Sequence, residues 1–137
     1  MLSQTAEYAL RAMTQLAIDA PNSSITLDVA KRTQVPGTYL TKVFQTLNHA
    51  GLVTTRRGIG GGVKLARPPK RISLLEIVNA VEPLIRKGND PRGAAFAPFN
   101  RKMGALTDQL RKGLAATSLA DVAPRFAKAN GRPKAKA

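Results

Sequence analysis

Between Thr26 and Leu65 the chain reads TLDVAKRTQVPGTYLTKVFQTLNHAGLVTTRRGIGGGVKL, and few folds accept that order of signals. Two helix-like runs are separated by Val35-Pro36-Gly37, where the proline pushes the residue before it out of helical geometry. In the second run Leu40, Val43, Phe44 and Leu47 fall at i, i+3, i+4 and i+7. They share one face and are candidate core, with Gly51 as the stop after Ala50. Leu52 to Thr55 and Gly62 to Leu65 read as short strands, joined by Arg56, Arg57, Gly58, Ile59, Gly60 and Gly61. A helix, a turn, a second helix and a glycine-rich hairpin together predict a winged helix-turn-helix, an architecture suited to duplex DNA.

The opposite face of the second helix carries Thr38, Thr41, Lys42 and Gln45. Hydroxyls and an amide at helical spacing can read base edges in a major groove, and Lys42 can neutralise a phosphate. On its own such a face is equally an ordinary solvated surface, so the hairpin has to decide. A glycine-rich loop can also cradle a nucleotide phosphate. The dinucleotide fingerprint, however, needs glycine at its first, third and sixth positions and a helix after it. Counted from Gly58 the sixth position is Val63, and Gly62-Val63-Lys64-Leu65 is strand-like. A hairpin with Arg56, Arg57 and Lys64 on or beside it suits a wing lying on the sugar-phosphate backbone, with an arginine able to enter the minor groove.

The charge balance agrees. The 137 residues carry 22 Lys and Arg against 8 Asp and Glu, a formal net charge of +14. The excess is spread along the chain: 12 basic against 5 acidic residues up to position 87, and 10 against 3 beyond it. Such a field favours a polyanion, nucleic acid or an anionic surface. No apolar run of about 20 residues is present to span a membrane, and the first residues lack the layout of a signal peptide. A cytoplasmic, nucleoid-associated protein is the expectation. With no cysteine in the chain, disulfides and thiolate metal sites are excluded. His49 is the only histidine and the eight acids are scattered, so neither a metal site nor an acid–base pair can be composed and no enzyme is expected.

The flanking segments complete a helical domain. Ser3 to about Asp19 reads as an amphipathic helix capped by Ser3. Ser24 or Thr26 is the candidate cap of the next helix, with Leu27, Val29 and Ala30 facing inward. After the hairpin comes a stiff basic connector, Ala66-Arg67-Pro68-Pro69-Lys70-Arg71. Ser73 and Glu76 then form a capping-box pair before Leu74, Ile77, Val78 and Val81. Residues 86–97 read as a loop. From Pro98 to about Thr117 a long helix places Phe99, Met103, Leu106, Leu110 and Leu114 at steps of 4, 3, 4 and 4, close to a coiled-coil seam and therefore a candidate homodimer interface. A short helix from Ser118 to about Lys128 and a disordered basic tail over 130–137 close the chain.

Four segments carry a family resemblance: SQTAEYALRAM from Ser3, VPGTYLTKVFQTLNHAGLV from Val35, RRGIGGGVKLARPP from Arg56 and ISLLEIVNAVEP from Ile72. In order and spacing they resemble the Rrf-two family of bacterial winged-helix regulators, relatives of IscR and NsrR. The resemblance implies that Thr38 and Tyr39 stand at the DNA-contacting start of the recognition helix, that Arg57-Gly58 and Gly60-Gly61-Gly62 form the wing, and that the long helix makes a homodimer. Thr41 stands where many members have glutamate, so base preference does not transfer. Many members hold an iron–sulfur cluster with three cysteines in the loop. Here the matching stretch is GNDPRGAAFAPFNRK from Gly88, with Asp90 and Ala97 where cysteine is expected. Asp90 alone cannot hold a cluster, so this is a cysteine-free member expected to carry no cofactor.

The expected fold is mainly α with a small β-hairpin. A winged helix-turn-helix DNA-binding domain over 1–85 and the 86–97 loop precede a dimerisation helix and short terminal helix over 98–129. The expected function is a homodimeric, sequence-specific repressor on a palindromic operator in double-stranded DNA, with any effector or partner protein left open. Two alternatives stand beside it. A basic RNA-binding protein is disfavoured by an aromatic content of 4%, which leaves little for base stacking. A protein-interaction module on the same scaffold stays open because fold alone does not fix function.

Overall fold

The computed structural model describes residues 2–82 and 96–124. Its elements are α1 (Gln4–Asp19), α2 (Thr26–Thr33), α3 (Gly37–His49), β1 (Val53–Arg56), β2 (Gly62–Leu65), a 3-10 turn (Pro69–Arg71), α4 (Leu74–Val81), α5 (Ala97–Ala116) and α6 (Leu119–Val122). The last helix stops at Val122, with Ala123 extended, short of the expected end near Lys128; Asp90, most of the 86–97 loop, residues 125–128 and the 130–137 tail lie outside the described residues.

Three helix ends have clear local causes. The Ser3 hydroxyl accepts from the Ala6 N–H at 3.1 Å and caps α1. Ser73 caps α4 reciprocally with Glu76. The Glu76 N–H donates to Ser73 Oγ at 3.1 Å and the Ser73 N–H to Glu76 Oε1 at 3.0 Å, two orphan donors satisfied together. Arg67 reaches back from the connector to Glu76 Oε2 at 2.9 Å. Burial pushes the Glu76 carboxyl up, but the Ser73 N–H, the Arg67 guanidinium and the Ser73 hydroxyl outweigh it and hold the group below its usual value. α3 ends on Gly51, whose φ is +78°. The Gly51 N–H donates to Asn48 O and the Leu52 N–H to Leu47 O, both at 3.0 Å. This is the paired left-handed helix stop, and its apolar partners Leu47 and Leu52 are both buried.

One apolar core joins these elements. Ala9, Ala12, Met13 and Leu16 of α1 meet Val29 and Ala30 of α2, Leu40, Val43, Phe44 and Leu47 of α3, Val53 and Val63 of the hairpin, and Ile72 and Ile77 around α4. Val35, in the turn between α2 and α3, is also buried, so the helix pair is pinned at its corner. β1 and β2 pair antiparallel with Val53 opposite Leu65, Thr54 opposite Lys64, Thr55 opposite Val63 and Arg56 opposite Gly62. Alternation along a strand then turns Val53, Val63 and Leu65 inward and puts Arg56 and Lys64 on the outer face.

Four details differ from the sequence reading. Leu27 is 61% exposed: at 100° per residue it lies about 110° from the inward direction set by Val29 and Ala30. Neither Ser24 nor Thr26 caps α2, whose N-cap is Ile25 without a side-chain bond. Ser24 instead forms an isolated bridge with Val63, its N–H donating to Val63 O at 2.7 Å and its O accepting from the Val63 N–H at 2.8 Å. Its hydroxyl donates to Asp19 at 2.6 Å. β1 starts one residue later than expected, because Leu52 belongs to the helix stop, and it takes in Arg56.

The fourth detail concerns the long helix. Leu114 is buried against Ala6 and Val78 of its own chain, with Leu110 packed at the edge of the same cluster. These two seam residues therefore pack within the chain. A second bridge, Ser73 to Ser118, carries the Leu119 N–H to Ile72 O and the Leu74 N–H to Thr117 O, both at 2.9 Å. Leu119 is fully buried in the main core. Phe99, Met103 and Leu106 remain 61%, 44% and 44% exposed.

Candidate nucleic-acid interface

The buried stripe of α3 dictates what its other side shows. With Leu40, Val43, Phe44 and Leu47 turned inward, Thr38, Thr41, Lys42 and Gln45 are all exposed. Among the described residues Thr38 and Gln45 have no hydrogen-bond partner and Lys42 no ion pair, so their polar atoms face water. Thr41 differs: its hydroxyl donates to Gly37 O at 3.1 Å and is left to offer lone pairs only. The first turn of α3 has no acid and no side-chain cap. Its leading N–H groups are thus free to meet an anion, with the helix dipole behind them.

Tyr39 is turned into the protein. Its phenol hydrogen-bonds the Thr5 hydroxyl, and its ring stands edge-on to Tyr8 at 5.1 Å between centroids. The side chain locks the start of α3 to α1, and the exposed face of the helix is left to Thr38, Thr41, Lys42 and Gln45. The spacing of Tyr8 and Tyr39 in the chain gives no hint of this pairing, which is a tertiary contact.

The hairpin supplies the cations. Arg56, Arg57 and Lys64 are exposed, and none of them is in an ion pair among the described residues. Other basic side chains are engaged: Arg67 with Glu76, Arg32 with Asp19 and Arg111 with Asp108. The tip turns at Gly58 to Gly61, closed by the Gly61 N–H to Gly58 O at 2.9 Å. Gly58 and Gly60 have φ of +89° and +77°, values that glycine adopts freely. A Cβ on Gly61 would lie 2.3 Å from Arg56 O. Ile59, given no role in the sequence reading, is the one side chain at the tip. A single apolar residue inside a glycine run was the signal available for it.

An exposed polar helix face fed directly into a cationic, glycine-built hairpin defines a winged helix-turn-helix DNA-binding protein. Comparison with known proteins agrees. The model of the Rrf2 family, described as iron-dependent transcriptional regulator, matches residues 2–125. The HTH-type transcriptional regulator IscR of Cereibacter sphaeroides is 37% identical over 118 residues, covering 84% of this chain and 76% of that protein. Among solved structures, CymR, the global cysteine regulator of B. subtilis, superposes with a TM-score of 0.76 at 25% identity, covering 90% of this chain and 95% of that one. IscR of T. potens gives 0.73 at 24% identity, covering 88% and 84%. The chain belongs to the Rrf2 family and is a DNA-binding transcriptional regulator rather than an enzyme.

The iron of the family's description does not fit this donor set. A cluster is held by thiolates, and the chain has no cysteine and one histidine. Among the described residues no three His, Cys, Asp or Glu side chains converge on a metal position, and no helix there is long and apolar enough to cross a membrane. Protein purified without oxygen should therefore be colourless, and iron and sulfide analysis should find neither in stoichiometric amount. Visible charge-transfer absorption with bound iron would overturn this reading.

Proposed function

We propose that the chain is a homodimeric repressor, acting on the nucleoid in the cytoplasm and bound to a palindromic operator with half-sites about one helical turn, roughly 34 Å, apart. Thr38, Thr41 and Gln45 address base edges in the major groove, and Lys42 and the α3 N-terminus hold phosphates. Arg56, Arg57 and Lys64 hold the backbone beside the wing, where Gly58, Gly60 and Gly61 let the chain turn tightly. The carrying observation is the acid-free face of α3, on which Thr38, Lys42 and Gln45 have no partner among the described residues, placed on the same rigid core as hairpin cations that likewise have no ion pair among them. Phe99, Met103 and Leu106, an exposed apolar row, support the second copy. Repression follows most simply from occupying promoter DNA.

The test is affinity against salt concentration for an operator selected from random duplexes and for its scrambled version. Gln45→Ala should cost about 1–3 kcal/mol on the operator and little on the scrambled duplex. Arg57→Ala should weaken both and lower the salt slope by about one unit per lost phosphate contact. Equal losses on both duplexes with equal slopes from both variants would mean that α3 does not read bases.

A further inference from the structure

The wing tip presents a side chain that makes no contribution to the fold. Ile59 has a relative exposure of 109%, and its neighbours in the turn are glycines held there by backbone geometry: positive φ at Gly58 and Gly60, and a Cβ clash at Gly61. The backbone therefore strips the tip of every side chain but one. A lone exposed isoleucine is ordinary on a protein surface. This one tops a hairpin that carries Arg56, Arg57 and Lys64 and no acid between Val53 and Leu65. Charge brings the hairpin to a polyanion, and what it then offers to the groove is an apolar end.

We infer that Ile59 is a specificity-determining residue that seats in the minor groove and selects A·T over G·C pairs beneath the wing, an inference that rests on the duplex-DNA reading above. The chemistry of the groove floor supports it. An A·T pair shows only the acceptors adenine N3 and thymine O2, whereas a G·C pair adds the guanine N2 amino donor. Either pair loses water from its acceptors when an apolar side chain enters. Only G·C also has a donor stripped of water, and its amino group stands up from the floor where a branched side chain needs room. The isoleucine cannot accept that hydrogen bond, and a buried unpaired donor is unfavourable. An arginine in a narrow groove also favours A·T tracts, but it does so through potential and therefore through salt, whereas the isoleucine contribution is insensitive to salt.

Inosine separates these effects, because an I·C pair keeps the major-groove face of G·C and lacks the amino group. On the selected operator, flank positions are replaced one at a time by A·T, I·C or G·C, and affinities are measured at two salt concentrations. The native chain should bind A·T and I·C duplexes alike and the G·C duplex on the order of tenfold more weakly at the wing position. Ile59→Ser should abolish that difference and leave the salt slope unchanged. Arg57→Ala should lower the slope and retain the difference. An Ile59→Ser protein that still rejects G·C by the native factor overturns the inference and leaves the DNA reading intact. If the native chain does not distinguish the operator from its scrambled version, the DNA reading itself falls, and the inference with it.

Discussion

The pair Met103→Glu, Leu106→Glu should leave a folded monomer that binds its operator about 10²–10⁴-fold more weakly, the range expected when a linked second half-site is lost. Both side chains are 44% exposed and, with Phe99 at 61%, form one row on α5. Two carboxylates in a seam between copies would have to be buried against apolar partners, which is strongly unfavourable. The choice of positions matters. Leu110 and Leu114 lie on the same stripe but pack on the chain's own Ala6 and Val78 cluster, so a charge at Leu114 would unfold the domain and say nothing about assembly. Sedimentation equilibrium should give the monomer mass with an unchanged circular dichroism spectrum, and the variant should bind a single half-site as the native chain does. A dimer that survives the double substitution would place the interface elsewhere.

The α5 stripe also shows where sequence reading stops. A repeat of 4, 3, 4 and 4 says that one edge of the helix is covered but not by what, and here its C-terminal end is covered by α1 and α4. Helices α1, α3 and α4 were legible because their apolar spacing and their caps, Ser3, Gly51 and Ser73, are local and point the same way. Ser24 was not, because its role is a bridge to Val63, nearly 40 positions further on, and a serine before a helix reads first as a cap. The exposed polar face of α3 was visible as composition. Its internal differences were not: Thr41 spends its donor one turn back on Gly37 O, a rotamer choice within the helix, and Tyr39 turns to Thr5, a consequence of how α3 sits once the core has formed. The wing was legible as a cationic, glycine-rich hairpin. That Ile59 stands alone at its tip follows from backbone angles, which a glycine count does not supply.

The tie between Ser24 and Val63 leads to the second large effect. Gly62→Ala should destabilise the domain by about 2–4 kcal/mol and lower Tm by roughly 10 °C. Gly62 has a φ of +140°, and an added Cβ would lie 2.6 Å from Ser24 O and 3.1 Å from its carbonyl carbon. That oxygen already accepts from the Val63 N–H at 2.8 Å, and both Ser24 and Val63 are buried. To admit a methyl group the two strands of chain must part, and the paired hydrogen bonds that hold the hairpin to the segment before α2 must stretch. Gly60→Ala is the control. Its φ of +77° lies near the left-handed helical region, a milder demand on alanine than +140°, and nothing lies within 4 Å of the added carbon, so only the left-handed backbone is penalised, about 1–2 kcal/mol. Thermal melts of the two variants separate the causes: equal losses would mean that backbone angle alone governs, and the close approach to Ser24 is dispensable. The operator supplies a second readout. With its anchor stretched, the hairpin no longer holds Arg56 and Lys64 at a fixed distance from α3, so Gly62→Ala should lower both the affinity and the salt slope below the melting range, while Gly60→Ala should change the slope little.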